Sequence, residues 1–242
     1  MSQSLLDKRE SRIRTMFGNI AGSYDLLNHL LSLNVDRYWR WRTTRLAPPD
    51  GDGPILDVCT GTGDLALAYD RAAGRRLPIV GADFCLPMLL PARDKARRRG
   101  AAGRVRYVEA DTQRLPFPSD SFQLTAVAFG LRNVTDTDRG LAEMVRVTRP
   151  GGRVAVLEFS RPRHWLFGRL YRFYFRRVLP FVGQVISRSR DNAYSYLPAS
   201  VLEFPDGEAL AEKLRSHGLT DVRWHPLTFG IATLYVGTKG PR

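Results

Sequence analysis

The run Pro54-Ile55-Leu56-Asp57-Val58-Cys59-Thr60-Gly61-Thr62-Gly63-Asp64, followed by Leu65-Ala66-Leu67-Ala68, constrains this chain of 242 residues more than any other stretch. An apolar run that ends in two closely spaced glycines and then turns helical reads as strand, turn, helix. Glycine lets the backbone approach a ligand closely, and the first turn of the helix presents N–H groups with no partner of their own. The stretch therefore looks like the nucleotide-binding entry of an α/β sheet. A tight βα turn with no ligand has the same shape, so the rest of the chain must decide.

Apolar runs and helical periods alternate from about residue 54 to 158, which points to βαβ units and a parallel sheet. Strands are expected at 54–59, 77–82, 104–109, 122–128 and 153–159, with helices near 64–73, 86–99 and 137–148. Pro150-Gly151-Gly152 is expected to end the last of these helices. A helix over 205–217 and two β-rich stretches, 220–226 and 230–238, follow, the last two close enough to pair antiparallel. Residues 1–48 form a helical cover rich in Leu and aromatics, and 161–200 an inserted helical segment, within one domain spanning 1–242.

Two further carboxylates give the glycine loop company. Asp83 ends the strand Ile79-Val80-Gly81-Ala82, about twenty residues beyond the loop, where it can accept both hydroxyls of a ribose. Glu109-Ala110-Asp111-Thr112 ends the following strand, where an acid can receive an adenine amino group. Loop and Asp83 alone fit a dinucleotide or S-adenosylmethionine. Asp111 tips the balance toward a class I S-adenosylmethionine-dependent methyltransferase.

The 37 Lys and Arg exceed the 24 Asp and Glu by 13, which makes nucleic acid or an anionic membrane surface a candidate partner. The excess is local. Residues 161–190 carry eight arginines and no acid, among Trp165, Phe167, Tyr171, Phe173, Tyr174, Phe175 and Phe181, whereas 46–92, around the glycine loop, is net −3. As a helix over 165–178 the segment would set Arg169, Arg172 and Arg176 on one face. That pattern suits a membrane surface or a partner, and equally a core-packed helix with a solvated stripe. With 43% hydrophobic residues, disorder of the whole is excluded. Cys59 and Cys85 have no zinc-like or disulfide-scaffold spacing. No uncharged run approaches the roughly 18 residues of a spanning helix, and the first residues lack a signal peptide's apolar core. A cytoplasmic protein, soluble or peripheral, is expected.

Several motifs together, Asp57-x-Cys59-x-Gly61-Thr62-Gly63-Asp64, Ala82-Asp83, Ala110-Asp111, Phe129-Gly130-Leu131-Arg132-Asn133-Val134 and Arg149-Pro150-Gly151-Gly152-Arg153, resemble the quinone-biosynthesis C-methyltransferases. The likeness extends over nearly the whole chain, from Tyr24-Asp25-Leu26-Leu27-Asn28 to Leu227-Thr228-x-Gly230-Ile231, and is most selective in Gly-Leu-Arg-Asn-Val and Tyr-Asp-Leu-Leu-Asn. It implies a Rossmann-like, mostly parallel seven-stranded sheet with an antiparallel C-terminal strand, and C-methylation of demethylmenaquinol to menaquinol with S-adenosyl-L-methionine as donor and no metal. A methoxy-benzoquinol precursor of ubiquinone stays open as a second substrate. By the resemblance Thr62, Asp83, Asp111 and Thr112 contact the donor, while Gly61 and Gly63 shape the loop. Asp57 holds the loop or senses the methionine amino group. Family members often carry Ser where this chain has Ala128.

Arg132 is expected to stabilise a developing oxyanion, Asn133 to orient a hydroxyl, and Tyr24, one turn from Asn28, to close the cofactor pocket. The structural alternative for the first two is a helix-entry network, with Asn133 as a cap and Arg132 paired to an acid such as Asp136. No His is nominated as a base. A polyprenylated quinol lives in a bilayer, so the basic segment is read as a peripheral contact with the inner face of the cell membrane; homodimerisation stays open. A nucleic-acid methyltransferase is the first rival, but the chain has neither an Asn/Asp-Pro-Pro-Tyr/Phe motif nor a Pro-Cys nucleophile. An NAD-dependent oxidoreductase and a non-catalytic membrane module are the others.

Overall fold

The computed structural model describes residues 8–163, 168, 169 and 193–241. Three helices, α1 (Glu10–Ile20), α2 (Tyr24–Leu31) and α3 (Val35–Leu46), precede the first strand. The alternating part follows as β1 (Ile55–Val58), α4 (Asp64–Ala72), β2 (Ile79–Asp83), α5 (Leu86–Arg98), β3 (Val105–Glu109) and β4 (Phe122–Ala128). A short 3-10 turn (Leu131–Asn133) then leads to α6 (Thr137–Val147) and β5 (Thr148–Phe159). Helices α7 (Ala193–Glu203) and α8 (Glu208–Ser216) come before β6 (Leu219–Leu227), a second 3-10 turn (Thr228–Gly230) and β7 (Ala232–Lys239). Most of the basic segment, 164–167 and 170–192, lies outside the described residues; within it Arg169 is exposed.

The seven strands form one sheet in the order β3-β2-β1-β4-β5-β7-β6. Strands β1 to β5 pair parallel, and β7 runs antiparallel to both its neighbours. This is the α/β sheet expected from the alternation, with β7 as the reversed C-terminal strand. Both faces are buried, as a parallel sheet requires. Ile55, Leu124 and Ala155 pack into the layer with Trp39, Leu67 and Leu89, whereas Leu56, Val127 and Val156 pack into the other with Leu141, Met144 and Leu214. The chain reverses direction across the sheet between β1 and β4, and open α/β sheets bind ligands at such a point, beyond the carboxyl ends of the strands.

Two boundaries differ from the sequence reading. The helix expected to run to 148 ends at Val147, and β5 begins at once, because Pro150-Gly151-Gly152 forms a bulge inside the strand and not a turn before it. Phe122 pairs with Thr148 and Leu124 with Arg153, so the intervening residues loop out of register. Gly151 takes φ +73° there, and a Cβ on Gly152 would lie 2.8 Å from the carbonyl oxygens of Arg149 and Gln123. Helix α8 starts at Glu208, not at 205, since the Asp206 carboxylate accepts from the backbone and side chain of Arg161 and the Gly207 N–H donates to Tyr235 Oη at 2.6 Å.

Candidate active site

The loop after β1 is shaped by two buried carboxylates. Asp57 accepts from Thr60 Oγ1 at 2.6 Å and from the Ala66 N–H at 3.0 Å, which ties the glycine turn to the first turn of α4. Its burial pushes the carboxyl up to about 7, against the pull of those two donors. Asp83 accepts from the Gly61 N–H at 2.8 Å on one oxygen and from the Cys85 N–H at 2.9 Å on the other. Burial raises it to about 6. Gly61 and Gly63 take φ +56° and +81°; a Cβ on Gly63 would fall 2.2 Å from Tyr107 Oη, so no other residue fits there.

A cleft opens over this loop at the carboxyl edge of the sheet. Gly61, Asp83, Asp111 and Thr112 all line it, together with Tyr24 and Asn133. Asp111 accepts from the Gln113 N–H at 2.9 Å and from its side-chain amide, and Cys59 Sγ meets Thr112 Oγ1 at 3.3 Å. Apolar walls come from Phe17, Phe84, Met88 and Phe129, none of which was nominated as a site residue from sequence. Ala128 also faces the cleft, where a Ser would place a hydroxyl. Phe129 holds φ +59°, a disfavoured backbone for an aromatic residue, and a Cβ on Gly130 would stand 2.3 Å from Cys59 Cβ. The ends of β1 and β4 thus meet at van der Waals limits beneath the cleft.

Three residues expected to meet the cofactor are not among the described residues that line the cleft and stand behind its wall. Asp57 and Gly63 shape the loop from beneath. Thr62 donates to Asp25 and receives Lys95 Nζ at 3.3 Å. Lys95, buried within α5, bridges to Asp64 at 2.7 Å and to Asp25 at 2.5 Å. It was invisible as a site residue in sequence, where it reads as one more cation near the end of a helix, two residues before Arg97-Arg98-Arg99. Asp64 is held low despite burial by Arg40 and Lys95. On the other side His29 Nδ1 lies 2.9 Å from Asp36, which also accepts from Arg40 and from Ser32 Oγ. This ionic network clasps α2 and α3 to the glycine loop, and so holds Tyr24 over the cleft.

Arg132 also sits behind the wall. Its guanidinium pairs with Glu158 at 3.0 Å and donates to the Phe129 carbonyl, and its backbone N–H donates to the other Glu158 oxygen at 3.1 Å. Both side chains are buried. The partner anticipated from sequence, Asp136, instead caps α6 by accepting from the Arg139 N–H at 3.0 Å, so neither Arg132 nor Asn133 belongs to that cap. The Arg132 guanidinium lies 5.3 Å from the Phe159 ring centroid. Asn133 remains in the cleft wall with Oδ1 buried and, among the described residues, without a hydrogen-bond partner. Tyr24, which is hydrogen-bonded to Asn28, has its phenol pKa pushed up by burial. A phenol so placed holds its proton and cannot serve as a base near neutrality.

The model of the ubiE/COQ5 methyltransferase family matches residues 5–239. A demethylmenaquinone methyltransferase from Thermus thermophilus is 49% identical over 225 residues, covering 93% of this chain and all of that one. A ubiquinone/menaquinone biosynthesis C-methyltransferase UbiE from Geobacter sulfurreducens is 47% identical over 235 residues, covering 97% of this chain and 91% of its own. Among solved structures, a SAM-dependent methyltransferase from Thermotoga maritima aligns with a TM-score of 0.64 at 18% identity, over 93% of this chain and 98% of that one. A phosphoethanolamine methyltransferase from Haemonchus contortus, solved with S-adenosylhomocysteine, aligns at 0.58 and 15% identity, over 82% and 51%. These two show likeness of fold.

Proposed function

Because the chain belongs to the ubiE/COQ5 methyltransferase family, we propose that its cleft seats S-adenosyl-L-methionine and a polyprenylated demethylnaphthoquinol, and that it C-methylates demethylmenaquinol to menaquinol. The residues present suit the donor. Asp83 spends one N–H contact on each oxygen and keeps lone pairs for a ribose diol, Gly61 leaves room for close approach, and Asp111 and Thr112 offer polar atoms at the purine end. When bound, the donor supplies a methyl cation equivalent on sulfonium.

Asn133 Oδ1 is the observation that carries the reading of the acceptor. A buried acceptor without a donor costs about 1–3 kcal/mol, and a quinol hydroxyl would supply the missing proton. Accepting that proton in a hydrogen bond shifts electron density onto the phenolic oxygen and its ortho carbon, which makes the carbon a better nucleophile. Arg132 acts from behind as a positioning residue. Pinned by Glu158 and bonded to the Phe129 carbonyl, it fixes the strained Phe129-Gly130 turn that leads to Asn133. Tyr24 closes the cleft over the reactants and excludes water.

The isoprenoid tail places the enzyme peripherally at the inner face of the cell membrane. Incubation with S-adenosylmethionine and either a reduced demethylnaphthoquinone or a methoxy-benzoquinol tests the reading by mass spectrometry. A gain of one CH2 on the naphthoquinol supports it, a gain on both adds the second substrate, and a gain on neither overturns it.

A further inference from the structure

The outer face of α2 and α3 is apolar and aromatic where a solvated helix pair would be polar. Leu26, Leu30 and Leu33 are 64%, 47% and 79% exposed; Leu26 and Leu30 lie four apart on one side of α2, and Leu33 follows in the turn after its end. Leu33 takes φ +53°, a backbone that leucine rarely adopts, at the turn that carries the stripe into α3. There Tyr38 and Trp41 are also exposed, with ring centroids 5.9 Å apart, and the Arg45 guanidinium lies 5.7 Å from the Trp41 ring. A single exposed leucine needs no explanation. Three within eight residues, followed in the next helix by two exposed aromatic rings, do.

The charge of this face has one sign. Of the acids between residues 24 and 46, Asp25 is paired with Lys95, and Asp36 is buried against Arg40 and His29. The exposed charged side chains on this stretch are Arg37 and Arg45. Arg71 near the end of α4 is exposed too, and after burial, the larger cause, the like charges of Arg99 and Arg37 lower its pKa. A two-fold contact between copies would set this cationic face against itself. Anionic headgroups would meet the arginines, while acyl chains take up the leucines and Tyr38 and Trp41 lie at the headgroup level, as aromatic residues do at membrane interfaces.

We propose that the α2–α3 face, built from Leu26, Leu30, Leu33, Tyr38 and Trp41 with Arg37 and Arg45, docks the protein on an anionic lipid bilayer. Tyr24 on the same helix lines the cleft, so docking by this face brings the cleft mouth to the surface from which a tailed quinol leaves the bilayer. Its purpose rests on the proposed quinol substrate, whereas the surface itself rests on exposure and charge.

Cosedimentation of the full chain with phosphatidylcholine vesicles, with and without phosphatidylglycerol, tests this. The wild type is expected to bind the anionic vesicles and the Leu26→Ser/Leu30→Ser/Leu33→Ser variant at least about tenfold more weakly, with Arg37→Gln/Arg45→Gln losing the dependence on phosphatidylglycerol. Both variants should keep the wild-type melting temperature and the wild-type rate on a tail-less demethylnaphthoquinol, while losing rate on a tailed one embedded in vesicles. Undiminished binding by the leucine variant, no binding by the wild type, or a wild-type dimer that this variant converts to monomers in light scattering would each overturn the proposal. A wild type that binds vesicles but methylates no quinol would leave the docking face standing and sink the substrate.

Discussion

At the scale of single residues, Asn133 separates chemistry from folding. Replacing it with Leu removes an acceptor that has no donor, so the free protein should lose no stability, whereas kcat should fall about 10²- to 10³-fold if Oδ1 activates the quinol; parallel loss of melting temperature would make the residue structural. Asp57 gives a pH signature. An unfolded carboxyl ionises near pH 4, at about 3.9, and the folded one at about 7. Between these the folded state binds more protons than the unfolded state, so its stability falls as pH rises. Asp57→Asn keeps an acceptor for Thr60 and Ala66 without the charge, and should gain on the wild type by on the order of 3 kcal/mol from pH 4 to 8; melting temperatures that differ equally at both ends contradict this. Asp83, Asp111 and Asn133 were legible in sequence because each follows a strand end that the hydrophobic pattern already marks. Glu158 was not, since an acid inside an apolar strand shows no partner until the fold sets it against Arg132.

Among elements, the contact of β1 with β4 is the narrowest. Gly130→Ala would drive a Cβ into Cys59 Cβ and should destabilise by about 1–3 kcal/mol or more, as overpacking does, with Cys59→Gly in the same chain restoring much of the loss in thermal unfolding. The clasp of α2 onto the loop is a second such joint. Lys95→Met leaves Asp25 without its buried cation, so amide exchange across Tyr24–Leu31 should quicken and the affinity for S-adenosylmethionine fall about tenfold; unchanged exchange would show that the clasp does not hold the helix. Strands and crossover helices were readable from period and turn residues. The bulge in β5 was not, because Pro-Gly-Gly signals a change of direction equally well before a strand and within one. Lys95 was hidden for a related reason: its neighbours Arg97, Arg98 and Arg99 are solvated, and one-dimensional spacing does not tell which cation of such a run turns inward.

Over the whole molecule, charge is sorted by task. The carboxylates Asp57 and Asp83 gather under the loop that would face a sulfonium, while Arg37 and Arg45 are exposed on α3 and eight arginines fall in the segment 161–190, which lies mostly outside the described residues. No helix among the described residues is long and apolar enough to cross a membrane. The central claim is methyl transfer to carbon, and it is tested most directly with S-adenosylmethionine carrying a deuterated methyl group and reduced demethylnaphthoquinone, followed by mass spectrometry and NMR of the product. The account predicts the intact labelled methyl on the quinone ring carbon; label on a phenolic oxygen, or none in the product, would contradict it.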